Sequence, residues 1–215
     1  MNSLNAIRET RDVFLSGAGV SLLLVGLCLA ISLPLATLAH VALQESAAGF
    51  ARAARLLLDV MRCVPFLLLA YVVYYGLPAV GIRPEAFWAG LSSLVVYHTA
   101  YFIEILRSAA LCVPQDTLVA ADAFGFPRYK RYTRIVFPQL FAIAAPVLVN
   151  QSVMVIKDSA LLMIITVQEI TFAANFVSAN YFSPFAPFLF AMLLYWLMSL
   201  LTDRLVGRLG KLRMR

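Results

Sequence analysis

The sequence predicts an all-α membrane protein with about five transmembrane helices and one cytoplasmic loop that carries a short helix. Three observations lead there. The 215 residues are 62% hydrophobic and only 13% charged, whereas soluble domains average about 45–50% apolar and about 25% charged residues. The apolar runs are continuous and do not alternate, which selects spanning helices over a barrel. The basic residues gather in particular loops, as membrane topology requires of Lys and Arg. That segregation sets aside a nucleic-acid reading of the net charge of +6. Residues 1–215 read as a single transmembrane domain, without a long repeat, a low-complexity tract or a GxxxxGK[ST] phosphate loop.

The elements follow in chain order. Residues 1–12 are polar, with Arg8, Glu9, Arg11 and Asp12 in balance. Val13 to Gln44 contains no Asp, Glu, Lys or Arg over 32 residues. A signal peptide would hold an apolar stretch of about 7–15 residues, so this run reads as a retained first span, roughly 17–41, with a kink expected at Pro34. A basic, partly helical loop follows with Arg52, Arg55 and Arg62. The second span is expected at 61–80, with Tyr71, Tyr74 and Tyr75 near its far end as an interfacial belt. The third is expected at 86–111, with Trp88 at its outer end and with Glu104 and Arg107 spaced to pair at i, i+3. A lone His98 in that span fits a hydrogen bond to a neighbouring helix better than a ligand role. The fourth span is expected at 144–166, bent near Pro146 and Asn150-Gln151-Ser152, and the fifth at 184–204. Residues 168–183 between them read as an outer loop with an interfacial or re-entrant helix. Cys28, Cys63 and Cys112 lie in or beside apolar runs and read as buried free thiols.

The polar interruption at 116–138, DTLVAADAFGFPRYKRYTRIVFP, holds the densest positive charge, with Arg128, Lys130, Arg131 and Arg134. Asp116 or Thr117 can cap a helix there. Leu118 to Phe124 favour helix, with three alanines. Gly125 stands where a residue of positive φ ends a helix, and Pro127 follows. Counting Lys and Arg, the 45–62 loop, the segment from Arg107 to Arg134 and the tail from Arg204 hold thirteen, against three on the other side. Five spans then put the N-terminus outside, with the C-terminus and the 116–138 loop in the cytoplasm.

Ala120-Ala121, three residues, Gly125, nine residues, Ile135, one residue, Phe137-Pro138 resembles the EAA loop of permease subunits of type I ATP-binding-cassette importers. Val119 stands where that motif has Glu, and Phe137 where it has Leu. Three further stretches resemble polar amino-acid permeases in the same order: MRCVPFLLLAYVVYYGLP, AYFIEILRSAALCVP and KDSAL at residues 157–161. The resemblance covers about residues 61–170. It implies a type I importer transmembrane domain that carries a polar amino acid or similar small solute by alternating access in a bacterial inner membrane. It also implies that Val119, Ala120, Ala121, Asp122, Phe124, Gly125 and Arg128 meet the ATPase.

The implied partners are a dimer of ATPase subunits, which would hold the ATP and Mg, a second permease copy, identical or related, an extracytoplasmic solute-binding protein, and membrane lipid. No nucleic acid is implied. The chain itself shows no catalytic constellation, no metal-ligand spacing and no cofactor site. Ionisable groups inside a span are costly and usually face a bundle interior or a wet cavity. Lys157 and Asp158, with Glu104, Asn150 and Ser159, are therefore expected along a translocation path, or else as pairs that pin helices. The rival reading is an ion-gradient-driven secondary transporter or channel subunit. Such proteins often show internally repeated halves, and this chain shows no duplication.

Overall fold

The computed structural model describes residues 9–212; the side chains of Leu118, Asp122 and residues 205–212 lie outside the described set, as do residues 1–8 and 213–215 altogether. Among the described residues the chain is helical, with no strand. Helix α1, Arg11–Glu45, extends the expected first span at both ends. At 1.5 Å per residue its 35 residues reach about 52 Å, well beyond a hydrocarbon core of about 30 Å. Its buried stripe runs Phe14, Gly17, Ser21, Leu24, Cys28, Ser32, Ala36, His40. These steps of three and four residues form one face, and the many small side chains let neighbouring backbones approach. A Cβ at Gly17 would lie 2.9 Å from the backbone oxygen of Glu169. Pro34 stays inside the helix.

The expected second span divides in two. Helix α2, Ala48–Cys63, and helix α3, Phe66–Val80, meet at an elbow of 99°. The cause is local. Pro65 forces Val64 into an extended conformation, observed at φ −77° and ψ 132°, and begins a new helix. Residues 61–63 thus belong to α2. Helix α3 changes pitch along its length, from α to a π turn at Val72–Gly76 and a 3-10 turn at Leu77–Val80. It ends at Gly81, whose φ is 87°. At the π turn Tyr75 stacks on Tyr71, with ring centroids 5.6 Å apart, and meets Tyr74 edge to face at 4.9 Å.

Helix α4, Ala86–Ala110, is the hub of the bundle. More than half of its most apolar window, 56%, is buried, against 17–39% for the other spanning candidates. Helix α5, Gln115–Ala123, is the short helix of the polar loop. Helix α6, Arg128–Ile165, starts with an α turn at Arg128–Arg131, passes through a π turn at Tyr132–Val136, runs as α-helix from Phe137 to Ser159 and tightens to 3-10 at Ala160–Ile165. The helix is not broken at Pro146, which sits inside continuous α-helix. The irregular turns fall instead at the two ends, one leading into the loop and one leading to Thr166. Helix α7, Ile170–Tyr181, fills the expected outer segment, and α8, Ala186–Leu212, completes the chain.

Two apolar clusters lie along the bundle. One joins Phe14, Leu24, Phe66, Leu94, Ile156, Leu162 and Ile170, and buries much of α7. The other joins Ala36, Phe102, Leu106, Leu140 and Ala144 nearer the α5 end. Of the three free cysteines only Cys28 is buried; Cys63 and Cys112 are exposed. The last two sit at helix ends, where an apolar neighbourhood in sequence does not translate into burial.

Candidate coupling and translocation sites

Helix α5 begins at Gln115, one residue before the expected caps, and the Thr117 amide bonds the Pro114 carbonyl at 3.1 Å. Asp116 therefore lies in the first turn, where its charge suits the positive end of the helix dipole, rather than at the cap. The exit matches the sequence closely. The amide of Phe126 reaches back to the Ala121 carbonyl at 3.1 Å. Gly125 has φ 66° and Pro127 starts the next helix. A six-to-one bond across a left-handed glycine is the Schellman turn, and it reverses the chain within two residues.

The residues expected on the coupling face separate by side. Val119 is 65% exposed and Phe124 81%, and Ala120 is exposed too; Tyr129, not named from the sequence, is 77% exposed. Ala121 is only 3% exposed and packs within its own chain. Its small side chain suits a helix that lies close to its own chain. The side chain of Asp122 is among those outside the described set. Arg128 turns back to the end of α1, with Nη1 3.3 Å from Glu45 Oε2. The Tyr132 hydroxyl donates to Glu45 Oε1 at 3.0 Å. Glu45 thus ties the start of α6 to α1 across the loop, a contact 87 residues apart in sequence.

The expected path residues do not form one group. Glu104 accepts from Arg107 Nε at 2.8 Å, as the i, i+3 spacing suggested, and lies 3.9 Å from Arg62. It faces a cavity of about 580 Å³ between α1, α2 and α4, whose wall also includes His40, Gln44, Arg55, Asp59 and Arg107. Six residues earlier on α4, about 9 Å along the axis, lies the second group. His98 is fully buried. Its Nδ1 lies 3.0 Å from Gln151 Nε2 and its Nε2 3.4 Å from Asp158 Oδ2. Asp158 is partly exposed, and Lys157 and Asn150 are exposed. Ser159 is fully buried and donates to the Ile156 carbonyl at 2.8 Å, so its hydroxyl is occupied by its own helix.

A third polar group was not singled out from the sequence. Glu169 is fully buried and caps α7, accepting from the amides of Thr171 and Phe172, both at 2.8 Å. The Tyr195 hydroxyl on α8 also donates to it, and that hydroxyl contacts Thr171 Oγ1 at 3.0 Å. Burial pushes the Glu169 carboxyl above the usual carboxylate range, while the bonds from Tyr195 and the two amides pull it back. The residues that usually cap a helix start are Ser, Thr, Asp and Asn, so a Glu at position 169 gave little local signal; Tyr195 and the Gly17 contact were not visible in sequence.

The family described as "Binding-protein-dependent transport system inner membrane component" matches residues 49–214. Among curated relatives, the probable glutamine ABC transporter permease protein GlnM of Bacillus subtilis (strain 168) is 30% identical over 142 residues, 66% of this chain and 66% of that protein. The octopine transport system permease protein OccM of Rhizobium meliloti is 34% identical over 162 residues, 71% of this chain and 66% of that protein. The chain therefore spans about two thirds of the length of these relatives. Among solved structures, an amino acid ABC transporter with histidines superposes with a TM-score of 0.87, at 24% identity and 98% coverage of both chains. The MetNI methionine ABC transporter in an inward-facing form gives 0.76 at 15% identity, covering 95% of this chain and 98% of that one. The fold is that of these transporters' membrane subunits, and the chain belongs to the family of binding-protein-dependent transport system inner membrane components.

Proposed function

We propose that this chain is the membrane-spanning permease subunit of an ATP-driven importer that moves a polar amino acid or a similar small solute across the bacterial inner membrane. One observation carries the reading. A two-turn helix, its Gly125 turn at φ 66° and the start of the next helix present Val119, Phe124 and Tyr129 outward from an otherwise apolar bundle. Exposed apolar side chains on a polar loop call for a protein partner, and family membership points to an ATPase. Two ATPase subunits hold the ATP and Mg, a second permease copy completes the pore, and a solute-binding protein delivers the substrate from outside. Thirteen Lys and Arg on the loop side support a cytoplasmic C-terminus and coupling loop. This chain hydrolyses nothing.

The motion enters at α5. Closure of the ATPase dimer moves α5, and the Schellman turn keeps α5 and α6 at a fixed angle. Glu45 links the same turn to α1, so a push on α5 reaches two spanning helices. On the path, Asp158 and Lys157, with Asn150 exposed on the same helix, bind the solute's charged ends while His98 and Gln151 orient Asp158. Glu104 lies about 9 Å nearer the α5 end and acts at the inner mouth. Phe124→Asp tests the reading. It leaves the bundle untouched, because Phe124 is 81% exposed, and it places a carboxylate in the docking contact, where an unpaired buried charge costs several kcal/mol. Membrane insertion should persist while ATPase co-purification and ATP-driven uptake are lost. Normal uptake by Phe124→Asp would refute the proposal.

A further inference from the structure

Helix α2 is the part of the molecule that the transport reading leaves unused. Over 16 residues only Ala51 is buried. At 3.6 residues per turn, Arg52, Arg55, Asp59 and Arg62 fall within about 80° of one another. Phe50, Leu56, Leu57 and Val60, all more than half exposed, occupy an arc centred about 145° away. The flank between them, with Ala51, Ala54 and Leu58, rests against the bundle. A surface helix of a soluble protein would turn its apolar face to the core. This one turns that face away from the core and away from its own charges.

The elbow says where that face lies. Helix α3 has 15 residues, about 22 Å of helix, and a hydrocarbon core is about 30 Å thick. If α3 spans, the shortfall of about 8 Å puts the elbow just inside the headgroup boundary. An interfacial helix sits about 5–10 Å into that boundary. The 99° turn lays α2 along the plane of the membrane. Of its basic residues, Arg62 is held by Asp59 and lies near Glu104. Among the described residues Arg52 and Arg55 make no ion pair. Helix α2 lines the same cavity as Gln115 of α5, so it lies at the α5 end of the bundle.

We propose that α2 is an in-plane anchor that seats Phe50, Leu56, Leu57 and Val60 among acyl chains and binds anionic phospholipid headgroups through Arg52 and Arg55. The leaflet, but not the lipid contact, rests on the cytoplasmic placement of α5 given above. The occupant is lipid rather than a second copy of the chain, because the apolar arc is paired with unneutralised arginines at headgroup depth. The anchor fixes one end of α3 and one wall of the cavity at Glu104 to the bilayer surface while α5 moves.

The test uses the full chain, with Cys63→Ser and Cys112→Ser, in phosphatidylcholine vesicles with and without phosphatidylglycerol. Nitroxides are attached at Leu57→Cys and, separately, Arg52→Cys. The probe at position 57 should meet dissolved oxygen and be shielded from a water-soluble nickel chelate, and the probe at position 52 should show the reverse. The preference for phosphatidylglycerol among lipids retained by the purified chain should fall about five-fold for each of Arg52→Gln and Arg55→Gln, and more for the pair. A probe at position 57 open to the chelate would overturn the proposal. So would spin–spin broadening at position 57, which would mark a second copy, or an unchanged lipid preference in the double variant. Neither readout uses the ATPase or uptake, so failure of the anchor and failure of the transport reading are told apart.

Discussion

Gly125 offers a graded test of how the loop transmits force. Its φ of 66° lies in the left-handed region, and a Cβ built there meets nothing within 4 Å. Within this chain, a Cβ at this position therefore meets backbone strain and no steric contact. For an L residue that conformation costs roughly 1–2 kcal/mol. Asn tolerates it, and a β-branched residue is a pronounced outlier. The series Gly125→Asn, Gly125→Ala, Gly125→Val thus raises the strain stepwise while leaving packing unchanged. About 1–2 kcal/mol corresponds to roughly a 5- to 30-fold loss in the population of the closed turn. ATP-driven uptake in membrane vesicles should fall in the order Asn, Ala, Val, with insertion constant in all three. Equal activity of the Asn and Val variants would refute the assignment of the turn as a rigid transmitter.

Three further outcomes are expected. Gly17→Leu puts a Cβ 2.9 Å from the Glu169 oxygen and 3.2 Å from Ala173 Cβ, whereas Gly19→Leu meets nothing within 4 Å; thermal unfolding of the purified chain should show the first destabilised by about 1–3 kcal/mol and the second nearly unchanged. Thr166, a β-branched residue at φ 67°, should relax on Thr166→Gly, raising stability by about 1 kcal/mol in the same assay if its left-handed backbone is the dominant cost. Lys157→Met should impair uptake more than it impairs recovery of the assembled complex, and normal uptake with poor assembly would assign Lys157 to structure.

Features written in consecutive residues were legible in the sequence. Uncharged runs gave the helices, AFGFP gave the left-handed turn at Gly125, and the i, i+3 spacing gave the Glu104–Arg107 pair. Features that depend on facing were not. Helix α5 is too short to show a buried stripe, so nothing told that Ala121 turns inward while Ala120 does not. Two prolines behave differently. Pro146 suggested a break or a bend, and it sits inside continuous α6. Pro65, read as part of one span, makes an elbow of 99° because it begins a helix after an extended Val64. The Glu169 group joins α1, α7 and α8 across separations of 26 and 149 residues, which no local pattern records.

The same distinction governs the polar sites. His98 reads as a lone histidine in an apolar run, and its partners Gln151 and Asp158 lie on α6, more than fifty residues away. Arg128 is expected to face the ATPase, and within its own chain it also pairs with Glu45 of α1. Charge in a loop marks the side of the membrane; which charges are free to bind is decided by packing.

The central claim is that α5 is the contact through which an ATPase drives this permease. Val119 is 65% exposed on α5, so Val119→Cys in a Cys63→Ser, Cys112→Ser chain places a reactive thiol on that surface without disturbing the bundle. The direct measurement is cross-linking of this thiol to the co-expressed ATPase in membrane vesicles, with and without ATP, beside ATP-driven uptake by the same vesicles. A cross-link to the ATPase should form, and uptake should stop when it does. No cross-link in vesicles that still take up substrate on ATP addition would contradict it.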